Sequence, residues 1–308
     1  MKRVLVTGGS GFIGRQVWNP LHSRGFEIHA TGRHPLADDP PGVVFHPVDL
    51  IDCASHRALL ERVKPDHLLH LAWYAEPGQY WNAAQNFAWL AATQSLVGAF
   101  CAAGGRRVVG AGTCAEYDWS DGLLVEGRTT EKPASQYGEA KLAAGQRTAA
   151  IVSAAGGSAA WGRIFSPYGP AEPSARLVPH VITCLLRGEP ARCTKGLQVR
   201  DFLYSLDVAD ALVALLDSDV SGPVNIASGQ SLSVGDLALR VATMLGRPDL
   251  LRLGAIAESA NNSAPMVVAS VQRLSRELGW RPRHTLDEGL AGTIDWWRDH
   301  PLPVNLMT

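Results

Sequence analysis

Little in this chain points outward to a charged partner, a membrane or a metal. Basic and acidic residues number 28 and 29, and the formal net charge is −1, so no basic face for nucleic acid is expected. No apolar run approaches the ~20 residues that span a bilayer. A strand pattern begins at once, with no basic start followed by a cleavable apolar segment, so no secretory leader is expected. Cysteine is scarce: five residues stand at 53, 101, 114, 184 and 193, an odd and scattered set. That usage predicts reduced thiols and a cytoplasmic protein. The ten histidines are scattered too, and no metal site is expected. Internal repeats and low-complexity tracts are missing. At 308 residues the chain is long enough to bury a large core as one big domain or two closely joined ones.

What is there begins with glycine. Val4-Leu5-Val6-Thr7-Gly8-Gly9-Ser10-Gly11-Phe12-Ile13-Gly14 starts as an apolar run, turns on glycines and opens a helix. The spacing predicts a buried parallel strand, a tight loop and a helix from about Gly11 to Arg24, closed by Gly25 as a C-terminal cap. Gly8 can take the sharp turn, Gly11 lets backbone approach a pyrophosphate, and Gly14 lets the helix pack on the strand. The free N–H groups then face the phosphates. The alternative is a glycine turn with a structural role alone.

Thr7-Gly8-Gly9-Ser10-Gly11-Phe12-Ile13-Gly14 resembles the cofactor loop of the extended short-chain dehydrogenases/reductases, the NAD-dependent epimerase/dehydratase family. Family motifs continue to about Trp280. The resemblance implies that Gly8, Gly11, Phe12, Ile13 and Gly14 hold the cofactor and that Asp49-Leu50 lies against its adenine. It also places Leu71 and Ala72 beneath the cofactor, with His70 read as a packed core residue. Members that prefer NAD carry an acidic residue after the second strand, where it accepts hydrogen bonds from the ribose. Here Gly32-Arg33-His34 follows the strand predicted at Glu27–Thr31. No carboxylate repels a 2′-phosphate, and Arg33 can pair with one. NADP(H) is therefore expected ahead of NAD(H). The plainer reading of Arg33 is a solvated turn residue.

Tyr137-Gly138-Glu139-Ala140-Lys141 carries Tyr and Lys at i and i+4, on one face of a helix opening near Ser135. Tyrosine titrates near 10. A neighbouring ammonium and a nicotinamide ring would favour the phenolate and fit Tyr137 for proton transfer at a carbonyl or alcohol oxygen. Thr113 ends the strand predicted at Val108–Gly112, upstream at the family's usual distance. The resemblance makes Thr113, Tyr137 and Lys141 the catalytic set, with Thr113 bonded to the substrate oxygen and Lys141 also on the ribose. The family's 4,6-dehydratases place Asp-Glu after the Thr; here Cys114 and Ala115 stand there. The residues for water removal are missing, and Cys114 reads as a small packed side chain.

The aromatic loop Trp73–Trp81 should flank the ligand crevice, and Tyr74 is taken as a sugar contact; core packing or a subunit contact are alternatives. Ser166, in Ser166-Pro167-Tyr168-Gly169-Pro170, stands where many members have a sugar-contacting Asn. Val178 opens the substrate region's first helix. Arg200, in Gly196–Phe202, matches the family's diphosphate-gripping Arg; the bland alternative is an Arg200–Asp201 surface pair. Ser270 replaces the usual Asp after the loop at 252–265, so the nucleotide base end is expected to be held differently.

The architecture implied is α/β, a Rossmann-type doubly wound parallel sheet with a smaller C-terminal substrate-binding lobe. Residues 1–165 form the cofactor domain, with a return segment at about 203–229; residues 166–202 and 230–308 form the lobe. Leu253-Gly254-Ala255-Ile256 and Gly196–Phe202 bring the chain nearest to the nucleotide-sugar 4-ketoreductases, the group that includes CDP-abequose synthase. The leading expectation is NADPH-dependent reduction of the C4 ketone of a nucleotide-linked 4-keto-6-deoxyhexose in deoxysugar biosynthesis, with Tyr137 as proton donor. The alternative is an NAD-dependent nucleotide-sugar 4-epimerase. A cofactor-sensing binding protein is the reading from another class. The partner is a nucleoside-diphosphate sugar, and a homodimer is expected through the two long helices rich in small residues.

Overall fold

The opening apolar run forms strand β1 (Lys2–Thr7), in which Val4, Leu5 and Val6 are fully buried. The computed structural model describes residues 2–35, 40–257 and 264–302. β1 is joined by β2 (Phe26–Gly32), β3 (Val43–Pro47), β4 (His67–His70), β5 (Arg107–Thr113), β7 (Ser158–Ile164) and β11 (Gly222–Ile226) in one sheet. The order is β11-β7-β5-β4-β1-β2-β3, and every pair is parallel. β5 is buried at all seven positions, as a central strand covered on both faces requires. This is the expected doubly wound α/β sheet. Its winding reverses between β1 and β4, the place where such sheets hold ligands at their carboxyl ends.

Helices α1 (Trp18–Ser23) and α6 (Ser205–Leu216) cover one face, where Leu21, Leu212 and Leu216 pack on Val4 and Val6. Helices α2 (Ser55–Val63), α3 (Gln85–Ala102) and α4 (Gln136–Ala154) lie on the other, where Leu60, Leu96 and Phe100 meet Leu5 and Leu68. A second sheet runs β12 (Ser231–Ser233), β10 (Val199–Tyr204), β14 (Met266–Ala269) and β6 (Leu123–Leu124), with β8 (Ser166–Tyr168) paired to β10. β9 (Ala191–Arg192) pairs with β13 (Leu251–Arg252). Helices α5 (Leu177–Leu186), α7 (Val234–Met244) and α8 (Leu286–Asp299) enclose a separate core of Ile182, Leu185, Val241, Leu290, Ile294 and Trp297. Among the described residues no helix is long and apolar enough to cross a membrane.

The first helix differs from the expectation. A 3₁₀ turn over Gly14–Gln16 precedes a six-residue α1. Pro20 has no N–H to give the Gln16 carbonyl, so one continuous helix from Gly11 would lack a bond there. Gly25 still closes the segment with φ +72°. Part of the loop at 252–265 lies outside the described residues.

Candidate active site

Three loops at the carboxyl ends of β1, β4 and β5 build the site. Gly8 turns the chain with φ +73°, and a Cβ there would lie 2.6 Å from the Ala72 nitrogen. A Cβ on Gly14 would lie 2.0 Å from the Gly8 oxygen, so the turn closes on itself only with glycine at both positions. Thr7 Oγ1 accepts from the N–H groups of Leu71 and Ala72, each at 3.1 Å, which fixes the β4 exit against the turn. His70 bonds through its two ring nitrogens to Thr7 (2.8 Å) and Thr93 (2.9 Å). Burial, with Lys141 nearby, pushes His70 down to about 3, so it is a neutral packing residue.

At the end of β5, Thr113 caps a 3₁₀ turn over Cys114–Glu116, its hydroxyl accepting from Ala115 N–H at 3.2 Å. Ser135 caps α4 by accepting from Gly138 N–H at 3.2 Å. A Cβ on Gly138 would lie 2.3 Å from the Ala115 oxygen, so glycine there allows α4 to start hard against the β5 exit. Tyr137 is thereby brought beside Thr113. Its ring meets Tyr80 and Trp81 edge-on, with centroids 4.8 and 5.9 Å away.

Lys141 is brought beneath them, but not as the sequence implied. Its Nζ donates to the Ala111 carbonyl at 2.7 Å and sits 4.0 Å from the Trp73 ring centroid. Burial pushes it down to about 7. Tyr137 is raised above the ordinary phenol range by burial, with Tyr80, Glu116 and Cys114 adding to the rise and the Thr113 hydroxyl opposing it. The ammonium is held by a carbonyl and an aromatic face, and burial sets the direction of the phenol, above its ordinary range and opposite to the lowering that the sequence pattern predicts. Burial also pushes the Cys114 thiol up to about 12, which leaves it protonated and inert as an acid or base near neutrality.

The other expected positions divide. Phe12 and Ile13 lie half-buried on the glycine turn, Ile13 against the core. Arg33 and His34 are exposed just beyond β2, with no carboxylate among the described residues of that turn, 33–35. Asp49 is exposed and its Oδ1 accepts from Ile51 N–H, whereas Leu50 is buried in the α2–α3 core. Tyr74 is half-buried and its hydroxyl donates within its own loop to Gln79. Val178 is 3 % exposed in the lobe core, so its side chain is taken up by packing instead of facing a substrate. Ser166 opens β8 opposite Phe202 of β10. Arg200 and Asp201 are both buried, which removes the surface-pair reading. Asp201 ties β10 to Ser228 and Gly229. The Arg200 charge instead reaches Cys114, the residue after Thr113, and lowers its thiol against burial.

With this geometry in place, residues 4–227 match the "NAD dependent epimerase/dehydratase family". The chain belongs to that family. It is 27% identical over 320 residues to UDP-glucuronic acid decarboxylase 1 of Xenopus tropicalis, covering 96% of this chain and 72% of the relative. It is 26% identical to UDP-glucose 4-epimerase of Streptomyces lividans, with 97% of each chain covered. The solved structure of MoeE5 in complex with UDP-glucuronic acid and NAD matches with a TM-score of 0.83 and 31% identity, over 97% of this chain and 99% of that one. Two of these relatives are named for acting on nucleotide sugars and the third is solved with one bound; none of the three is named as a 4-ketoreductase.

The site of this family member fits a dinucleotide on its own geometry. Gly8, Gly9, Gly11 and Gly14 put no side chain over the turn, and Thr7 pins the β4 exit to it. Sequence reasoning missed four residues. Glu116 and Arg163 form a buried pair behind Thr113, with Arg163 Nε 2.6 Å from Glu116 Oε2. Glu172 and Arg176 pair at 3.7 Å, and the Arg176 charge reaches the Tyr80 phenol. Burial raises Glu172 to about 8. The only sequence signal for either pair was charge inside otherwise apolar or turn-forming stretches.

Proposed function

We propose that this protein is a nucleotide-sugar 4-epimerase working with NAD held on the glycine turn. The observation that carries the reading is the placement of Thr113 and Tyr137 together over a buried Lys141, with Cys114 and Ala115, neither an acid nor a base near neutrality, in the two positions directly after Thr113. One proton carrier at one oxygen suffices for chemistry at C4, whereas elimination of water needs a further pair. A bound nicotinamide supplies the removal and return of a hydride. Tyr137 takes the proton from the C4 hydroxyl and gives it back to the same oxygen. Thr113 bonds that oxygen and fixes its distance from the phenol. Lys141 orders the ribose side, and Arg200 grips the diphosphate of the substrate with its guanidinium fork. Gly8, Gly11, Phe12, Ile13, Gly14, Leu71 and Ala72 hold the dinucleotide. The cofactor domain is residues 1–165 with 203–229, the lobe is the remainder, and the sugar lies between them. The chain works as a homodimer through α3 and α4, where Phe87 stands exposed.

Arg33 favours a second reading, the NADPH-dependent 4-ketoreductase, because among the described residues directly beyond β2 it offers a cation, and no carboxylate, to a 2′-phosphate. The two are separated by redox balance. The epimerase interconverts C4 isomers with no net change in nicotinamide absorbance. The ketoreductase consumes added NADPH with CDP-, dTDP-, GDP- or UDP-4-keto-6-deoxyhexoses. Stoichiometric NADPH loss with a keto sugar and no isomer formation would replace the first reading by the second.

A further inference from the structure

Glu116 is fully buried on the 3₁₀ turn that leaves β5, yet it carries a charge-bearing group. Its Oε1 accepts from Thr113 N–H at 2.8 Å and from Trp161 Nε1 at 2.9 Å. Its Oε2 accepts from Arg163 Nε at 2.6 Å. Arg163 also reaches Glu131 and lies 4.3 Å from the Tyr117 ring centroid. Room for this carboxylate is made by glycine: a Cβ on Gly112 would lie 2.7 Å from Oε1. A buried ion pair stabilises a fold weakly compared with apolar packing of the same volume, so its value lies in what it holds.

What it holds is the catalytic strand end. We propose that Glu116 is a positioning residue for this site, its carboxylate held by Arg163 and Trp161 so that it fixes the main chain at Thr113 and lies within electrostatic reach of Lys141 and Tyr137. Lys141 is faced by Glu116, neutral His70, the rings of Trp73 and Trp161, and the Ala111 carbonyl. Tyr137 is faced by Thr113, Cys114, Tyr80 and Glu116. Glu116 is the carboxylate common to both. Burial raises Glu116 itself, and the Arg163 charge with the Trp161 and Thr113 N–H bonds opposes that rise; as a carboxylate it favours the charged ammonium and disfavours the phenolate, which keeps Tyr137 a proton carrier that returns what it takes.

Two substitutions divide reach from charge. Glu116→Gln keeps the acceptor for Thr113 N–H and removes the charge. Glu116→Asp keeps the charge and is one methylene short of Thr113. The kinetic arm rests on the 4-epimerase reading; the spectroscopic arm does not. The chain has five lysines, so [¹³C]lysine NMR resolves Lys141, assigned by its loss in Lys141→Met. In Glu116→Gln the Lys141 midpoint moves down and the acid limb of the kcat profile moves to lower pH. In Glu116→Asp both stay, while kcat falls about 10–100-fold with KM within threefold, as expected for misplacing a group that positions the reacting oxygen. Glu131→Gln, which leaves the Thr113 contact intact, keeps turnover. The proposal is overturned if folded Glu116→Gln leaves the Lys141 midpoint unmoved, whatever the sugar specificity proves to be. It is overturned equally if both Glu116 variants lose only thermal stability.

Discussion

At the scale of residues, Tyr137 carries the heaviest claim. Tyr137→Phe removes the hydroxyl and leaves the ring against Tyr80 and Trp81, so folding is retained. Turnover should fall by about 10²–10⁴-fold with KM little changed, the range of a lost general acid–base; steady-state kinetics checks it, and near-normal turnover contradicts it. Arg200→Ala should act on KM instead, raising it roughly 10–100-fold through loss of charge-assisted bonds to phosphate. An unchanged KM removes Arg200 from the substrate site. The Tyr-x-x-x-Lys spacing was legible in the sequence because helix periodicity sets which side chains share a face, and the upstream Thr113 through the family resemblance. The partner that Lys141 takes was not legible. Its bond to Ala111 depends on how α4 docks on β5, and that is settled by the close approach of Gly138 to Ala115, a residue distant in sequence. Glu116 was unreadable for the same reason, since its donors come from positions 113, 161 and 163.

At the scale of elements, the glycine turn and the terminal helix make opposite predictions. In Gly14→Ala the new methyl meets the Gly8 carbonyl, which is backbone and cannot swing aside. Overpacking of this kind costs about 1–3 kcal/mol, and here it also distorts the cofactor turn. Calorimetry with NAD should show affinity lost together with melting temperature. Thr285 caps α8 in a reciprocal capping box with Glu288, and α8 buries Leu290, Ile294 and Trp297 in the lobe. Thr285→Ala should cost about 0.5–2 kcal/mol of stability and leave NAD affinity unchanged. That box was plain in the sequence, because Thr-x-x-Glu ahead of an apolar stripe is a local signal. The break in the first helix was also written locally, in Pro20, but the glycine pattern in front of it suggested a longer element.

At the scale of the whole molecule, two buried groups, Lys141 and Glu172, contribute to the pH dependence of stability with opposite sign, beside buried His70, whose depressed value adds a rise at lower pH. Lys141 is lowered from 10.5 to about 7. Between those values the unfolded chain binds more protons, so this contribution makes stability rise with pH across the window. Glu172 is raised from 4.5 to about 8, so the folded chain binds more protons and its contribution falls as pH rises through that range. Relative to the unsubstituted protein, the melting temperature should therefore climb with pH between 4.5 and 8 in Glu172→Gln and drop with pH above 7 in Lys141→Met. Slopes unaltered in both variants would contradict these assignments. The doubly wound parallel sheet was legible through the family resemblance, whereas the strand order and its reversal at β1 and β4 came from the structure; the redox economy of the reaction was not legible, because the same three side chains serve both.

The most direct test is proton NMR of UDP-glucose and UDP-glucuronic acid incubated with the enzyme and catalytic NAD. C4 isomers should appear for a UDP-sugar, with no accumulation of NADH, and should not appear with Tyr137→Phe. No isomer from any nucleotide sugar, or isomer formed at an undiminished rate by Tyr137→Phe, would contradict the account.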